Sequence, residues 1–455
     1  MPELCGRVKI ESAAEKLLDA ARGRPGLLGA DVLYARVESY SLSLLDGEPE
    51  ENAYGVSGGV SLRCIGDDGR QGIATASDIS ESSLRNLCEW SYKNCLLSER
   101  DEGVTLYRGS SGGGAPLDLF DENMERAASA AFRMKTCSDM TEIARSEDGK
   151  VLSVRSASWN HGFSESFYAS TEGLSLWKRG TSASCGVSVV LRDGESYEMG
   201  SYGQAVRFAG DLDAENIART AVRRTLRILG GRPLPTGKYT LLLEPEVSAS
   251  IVEEIGEMFC ASEVHKGRSL MKGRLGRFVA GSAVTLTDDA RLPRRLGSSP
   301  FDREGVPTGR TVLIDSGVAN AYMYNLQHAS KDGVESTGNA SSGLSEPPDV
   351  APSNLILEPG ADSPEQMMKS VGRGFLVTEL MGLHTVNCVS GEFSLGAKGV
   401  FIENGSPCGA VAGVTIADNL ISFLKKITLV GNDLVFFGST AAPSIVVEDV
   451  AIAGE

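Results

Sequence analysis

The stretch Gly230-Gly-Arg-Pro-Leu-Pro-Thr-Gly237 constrains this chain more than any other. Its two prolines lack a backbone N–H and fix φ, and its glycines loosen the backbone around them, so neither a helix nor a central strand can run through it. It lies near the middle of a 455-residue chain. The expected organisation is an N-terminal α+β domain at 1–231 and a C-terminal α+β domain at 236–455, each large enough to bury its own core.

Apolar periodicity gives the local structure on either side. In the first half, helices are expected over 11–22, 80–97, 121–136 and 213–229, the last with Asp213 as N-cap and Gly230 as C-terminal cap. Strands are expected over 31–45, 59–65 and 71–76, with a turn at Gly66–Gly69 and a meander over 141–208 that reverses at Asp148-Gly149. In the second half, strand Lys238–Glu244 feeds a helix over 246–261 that opens at Pro245 and carries Val247, Ile251, Ile255 and Phe259 on one face. Loops and short strands fill 265–360, Ser363-Pro-Glu-Gln366 is a capping box, and a helix at 416–427 precedes strands at 433–437 and 444–450. Helices and strands mix without regular alternation. The fold class read from this is α+β, two domains with antiparallel and mixed sheets, rather than a doubly wound sheet.

Charge and cysteine usage exclude several functions. With 44 Lys and Arg against 60 Asp and Glu, the net charge of −16 disfavours direct contact with nucleic acid. No apolar run approaches the length of a membrane span, and the start Met-Pro-Glu-Leu-Cys lacks an apolar signal core. Nine scattered cysteines, never spaced C-x-x-C, fit reduced thiols in a cytoplasmic protein.

Short motifs add little chemistry. Gly55-Val-Ser57-Gly-Gly59 and Gly109-Ser-Ser111-Gly-Gly113 match G-x-S-x-G. The first is followed by a strand and the second sits in a low-complexity loop, so neither has the strand-to-helix setting of a nucleophile elbow. Gly237-Lys238 matches the end of a phosphate loop, but Tyr239 replaces the needed hydroxyl residue. The four histidines (161, 265, 328, 384) never fall at metal-ligand spacing. His265 lies just past the 246–261 helix, either facing a cleft or simply solvated. Glu253, Glu254 and Glu257 form an acidic face on that helix opposite its apolar stripe.

A set of ordered segments in the second half resembles the TldD/PmbA family, historically called modulators of DNA gyrase. They are Phe301-Asp-Arg-Glu-Gly305, Ser336-Thr-Gly-Asn-Ala340, Pro352-Ser-Asn-Leu355 with Glu358-Pro-Gly360, Met381-Gly382, Gly391-Glu-Phe-Ser394, Ile402-Glu-Asn-Gly405 and Ala442-Pro-Ser-Ile445. The resemblance implies a cytosolic two-domain protein. It also implies a family whose catalytic branch is a zinc metallopeptidase acting on unfolded or extended peptides. There a helix bearing H-E-x-x-x-H and a cysteine in a glycine-rich C-terminal stretch hold the metal. Here the aligned hexapeptide is Val252-Glu253-Glu254-Ile255-Gly256-Glu257, and Gly431–Pro443 contains no cysteine. Valine has no lone pair, and two carboxylates are too few for a site that needs three protein ligands.

By resemblance, then, the chain looks like the PmbA/TldE branch, a non-catalytic subunit. Its partners would be a TldD-like zinc-bearing paralogue and an extended peptide, with a homodimer in isolation left open. No catalytic residue, metal ligand or cofactor is assigned to the chain itself, zinc being expected in the partner. The degenerate helix positions are Val252, Glu253 and Glu257. The candidate cleft or peptide-contact residues are His265, Phe301, Asp302, Glu304, Gly305, Gly338, Asn339, Gly391, Phe393 and Ser394. Two other readings stay open: an autonomous metallopeptidase using Glu253, Glu257, Cys260 or His265, and an acidic regulator that touches gyrase without touching DNA.

Overall fold

The computed structural model describes residues 6–110, 115–127, 129–387 and 389–455, so Ser111 of the second G-x-S-x-G match lies outside the described residues. The first half begins with α1 (Arg7–Arg22) and a long hairpin of β1 (Leu27–Leu45) and β2 (Glu48–Gly66), then β3 (Gln71–Ala76) and α2 (Glu81–Leu97). A short α3 (Met124–Ala127) and α4 (Ala130–Glu147) lead into β4 (Val151–Ser170), β5 (Ser175–Asp193), β6 (Ser196–Val206) and α5 (Ala214–Ile228). All six strands form one antiparallel sheet in the order β3-β2-β1-β4-β5-β6.

Side chains alternate across a strand, and β1 shows the consequence. Ala30, Val32 and Tyr34 face a core built with α1 and α2, and Leu42 and Leu44 on the same face pack with α4 and α5. The opposite face presents Asp31 to Arg303 of the second half. One face of the sheet is thus covered by helices, and part of the other meets the C-terminal half.

That half contains β7 (Gly237–Leu243), α6 (Pro245–Glu257), α7 (Ala261–His265), β8 (Leu286–Asp289), β9 (Arg310–Asp315), β10 (Val318–Ala319) and α8 (Leu326–Asp332). There follow β11 (Ala340–Ser341), β12 (Asp349–Val350), β13 (Leu355–Leu357), α9 (Pro364–Val371), β14 (Gly374–Met381), β15 (Glu392–Glu403) and β16 (Ser406–Asn419). The chain closes with α10 (Leu420–Lys425), β17 (Ile427–Val430), β18 (Val435–Phe437), β19 (Thr440–Ala442) and β20 (Ile445–Ala453). One sheet runs β10-β9-β8-β13-β19-β18; the other runs β16-β15-β14-β7-β20-β17 and closes on itself through β16–β20 pairing. Parallel β7–β14 and β13–β19 pairs make both sheets mixed. Helix α6 lies between the sheets, with Val247, Ile251, Val252 and Ile255 buried in one core shared with both. Gly256 is required there, because a Cβ would stand 2.2 Å from Leu355 Cδ1.

The architecture is the expected α+β, with local differences. The helix expected over 121–136 is a single turn followed by α4, which runs on to Glu147. Its buried side is Arg133, Cys137, Met140, Thr141 and Ala144, whereas Met134 is exposed. Asp148-Gly149 therefore joins a helix to a strand, and the reversal between β5 and β6 is made at Gly194-Glu195. Ile416 lies in β16, and the helix expected over 416–427 is only α10. A strand whose apolar residues run on into a short helix gives a false helical period. The 230–237 connector is docked rather than loose. Arg232 bonds to the backbone of Ala410 and Ala412, Thr236 to Glu455, and Leu234 is buried. Among the described residues the cysteines are free thiols, and no helix is long and apolar enough to cross a membrane.

Candidate functional site

Pro245 occupies the first turn of α6, where its missing N–H costs nothing. The helix then lays its apolar face into the core, and that places the degenerate positions. Val252 is 4% exposed, packed among aliphatic side chains, while Glu253 and Glu257 are exposed on the other side. The cysteine-free 431–443 stretch supplies β18 and β19, which pack against α6. The residues present do not fit zinc. Val252 offers no donor, the two carboxylates point away from the core that holds it, and burial pushes the Cys260 thiol far up, so it stays protonated. Among the described residues no three His, Cys, Asp or Glu side chains converge as a metal would require.

His265 at the end of α7 is half-buried on the wall of an open cavity and is not alone. Its Nδ1 lies 2.7 Å from Nδ1 of His328 and its Nε2 2.9 Å from Asp332 Oδ1, while Tyr324 donates its hydroxyl to the other Asp332 oxygen at 2.8 Å. One imidazole proton is shared between two rings and the carboxylate holds the far side. Burial, then the neighbouring His265, pushes His328 down to about 4. With both nitrogens engaged, His265 is not available as a ligand. No local pattern signals the pairing, because 63 residues separate the two histidines.

The Phe301–Gly305 segment forms a buried knot between the halves. Asp302 is 6% exposed; Oδ1 accepts from Glu304 N at 2.8 Å and Val306 N at 3.0 Å, and Oδ2 from Ala340 N at 3.0 Å. Glu304 accepts from Leu326 N at 2.8 Å and from Arg63 Nη1 at 3.3 Å. Arg63 in turn donates Nε to Asp31 at 2.8 Å, and Arg303 reaches the same carboxylate at 3.4 Å. Phe301 packs with Tyr168 and Leu174, and the Lys178 ammonium stands 5.1 Å over its ring. Gly305 has φ +77, and a Cβ there would stand 2.6 Å from the Tyr168 ring, so only glycine lets the turn meet the first-half sheet. Burial, then the adjacent Glu304, raises Asp302 to about 7, and burial lowers Lys178 to about 8. Gly338, at φ +75, packs on the Pro307 carbonyl, and Asn339 donates to Asp288 Oδ2 at 2.8 Å and to the Ala351 carbonyl at 3.1 Å. Phe301, Asp302, Gly338 and Asn339 thus share the wall of one cavity of about 310 Å³ between the halves. The polar groups of Asp302, Glu304 and Asn339 are engaged inside the chain.

Gly391, Phe393 and Ser394 belong to a separate place. Gly391, at φ +83, turns the chain into β15, Phe393 stacks edge-on against Phe423 with ring centres 5.5 Å apart, and Ser394 is exposed. Sequence reasoning missed Asp31, Arg63, Lys178, Asp288 and His328. A signal for the first pair existed: opposite charges inside two apolar strands, which the β1–β2 register places directly across from one another.

This fold and this helix define a metallopeptidase-type scaffold. The signatures of PmbA/TldA metallopeptidase domain 1, central domain and C-terminal domain match residues 30–95, 102–229 and 236–454 in turn. The chain belongs to the PmbA/TldD metallopeptidase family. It is 26% identical to the metalloprotease PmbA of Escherichia coli O157:H7, over 98% of this chain and 96% of that protein. A Thermotoga maritima protein crystallised under the description of a DNA gyrase modulator superposes with TM-score 0.88 at 28% identity, covering 98% of this chain and all of that one. The fold is also that of TldE from Thermococcus kodakarensis, with TM-score 0.87 at 24% identity over 97% of this chain and 100% of that one.

Proposed function

We propose that this chain is the metal-free, PmbA/TldE-like subunit of a two-subunit zinc peptidase, acting with a TldD-like paralogue on unfolded or extended peptides. The observation that carries the reading is the state of α6. The helix is kept and buried, with proline in its first turn, yet a core valine stands where the resemblance puts a histidine ligand. A carboxylate base has little to activate without a metal-bound water. The chain therefore contributes shape: its C-terminal sheets and the inter-half cavity help enclose the peptide, and the paralogue supplies zinc and the cleaving water. On this reading it works in the cytoplasm.

Elemental analysis after mild dialysis tests the assignment. The expected result is no stoichiometric zinc in this chain and about one zinc per paralogue. One zinc per chain here, lost in Glu253→Gln or Glu257→Gln, would instead support the autonomous peptidase.

A further inference from the structure

Strand β2 spans Glu48–Gly66, but β3 pairs only with its last part, Val60–Ile65. Over Glu48–Gly59 the strand is bonded to β1 on one side and, among the described residues, to no strand on the other. The lane is vacated because the chain turns out of the sheet after Ala76. Asp78 accepts from Ser80 N at 2.8 Å, and Ser80 then caps α2. In the vacated lane lies a cavity of about 1090 Å³, walled by Val8 and Lys9 of α1, Val56 and Val60 of β2, Ile79 and Leu84. An unpaired edge leaves N–H and C=O groups seeking partners, and such edges are normally blunted by charge. Here Glu48, Glu50 and Glu51 protect the far end of the edge, whereas Val56–Gly59 beside the cavity carries no charge.

The G-x-S-x-G match of the sequence falls on this edge. Its last two glycines have packing reasons: a Cβ at Gly58 would stand 2.3 Å from the Ala35 carbonyl, and one at Gly59 2.4 Å from that of Ala76. Their effect on the lane is the same, since two successive positions present backbone without a side chain. Arg36 lines the cavity at 8% exposure; it pairs with Glu38, and its buried Nε has no hydrogen-bond partner. Lys9 and Lys16 line the cavity as well, against the single carboxylate of Asp78, so the lining is net cationic.

We propose that this lane is a docking site for an extended apolar peptide segment with an acidic flank, added as a strand along Val56–Gly59. Main-chain hydrogen bonds would give the affinity, about 13 Å of edge accommodating four residues. The apolar walls take alternate side chains, and Arg36 and Lys9 attract the flank. The lane is closed by α1 on one side and the 77–80 turn at its end, so it admits one extended chain, not a second copy's sheet. The site lies in the N-terminal half and needs no paralogue, so it stands or falls apart from the subunit assignment.

The probe is a dye-labelled peptide of alternating valine and threonine between paired glutamates, read by fluorescence anisotropy on the full chain. Saturable binding is expected. N-methylating alternate residues along one edge should weaken it at least tenfold, and along the other edge less than threefold. Val8→Gln with Val56→Gln should weaken it about tenfold at an unchanged melting temperature, both side chains being partly exposed (77% and 45%). Exchanging the flanking glutamates for lysines should also weaken it. Absence of binding, indifference to N-methylation of both edges, or full binding by the double variant would overturn the proposal. So would a dimer of the chain that the double variant dissociates, which would make a second copy the occupant.

Discussion

Replacing Arg63 by methionine tests whether the buried knot holds the two halves together. Arg63 is 2% exposed, Asp31 0% and Glu304 2%, and the guanidinium bridges the first-half sheet to the second half beside the Arg303–Asp31 contact. Burial alone would lower the arginine pKa, yet Asp31 and Glu304 hold it above its ordinary value, so the cation is strongly bound. Removing one partner of a buried pair leaves the other charges uncompensated, a loss of about 3–5 kcal/mol. Two features make the outcome specific. Glu304 is already raised by burial, and without Arg63 it rises further, so protonation relieves the variant. A carboxyl whose folded pKa is raised contributes stability at low pH and loses it as pH rises; the Arg63→Met deficit should therefore shrink between pH 8 and pH 5. Adding Glu304→Gln should recover about 1–2 kcal/mol at pH 8, since one orphaned charge is gone. The assay is urea unfolding followed two ways. Trp90, Trp159 and Trp177 all lie in the first half, so their fluorescence follows that half while far-ultraviolet circular dichroism follows both. The two curves should coincide in the parent and separate in the variant. A deficit under about 1 kcal/mol, or one that does not change with pH, would refute the reasoning.

Three further outcomes follow from the same geometry. His328 is pushed down to about 4 from 6.5, so its contribution is present above pH 6.5 and lost as pH falls toward 4, roughly 3 kcal/mol in all; the difference between parent and His328→Asn melting temperatures should narrow over that window, and a constant difference would contradict it. Val252→His places a polar ring in an aliphatic core and should cost about 1–3 kcal/mol, while Val252→His with Glu257→His should still fail to hydrolyse peptide, because a third ligand is missing. Proteinase K, which cleaves with broad specificity, should cut near Arg100 or Arg108, whose side chains are 66% and 63% exposed, before it cuts within 230–237, where Arg232 is bonded to β16; early cleavage within 230–237 would mean the connector is undocked.

What the sequence revealed and what it hid divide along a physical line. Local signals were readable: the Asp213 cap accepts from Asn216 N, the Ser363 capping box forms in full, and the four-residue spacing from Val247 to Phe259 is core. The loss of the ligand positions was equally readable, since it needs only the identities at 252, 257 and 431–443. Properties that depend on distant pairing were not. The knot joins residues 31, 63 and 304, and the histidine pair joins α7 to α8, 63 residues apart, so neither has any periodicity to betray it. Phe301–Gly305 was legible as a motif but not as a junction, because a buried carboxylate and an exposed one are spelled alike. The β2 overhang was hidden for another reason. Glu48–Gly59 has no apolar alternation, its side chains being exposed, so the only mark in the sequence of its pairing with β1 is the hairpin turn at Asp46-Gly47.

The central claim is that this chain shapes a peptidase without doing its chemistry, and reconstitution tests it most directly. An unstructured fluorogenic peptide is incubated with this chain alone, with a zinc-bearing paralogue alone, and with the two mixed, each with and without chelator. The account predicts silence from this chain, weak cleavage by the paralogue, and strong chelator-sensitive cleavage by the mixture. Chelator-sensitive hydrolysis by this chain alone, or a mixture no more active than the paralogue, would contradict it.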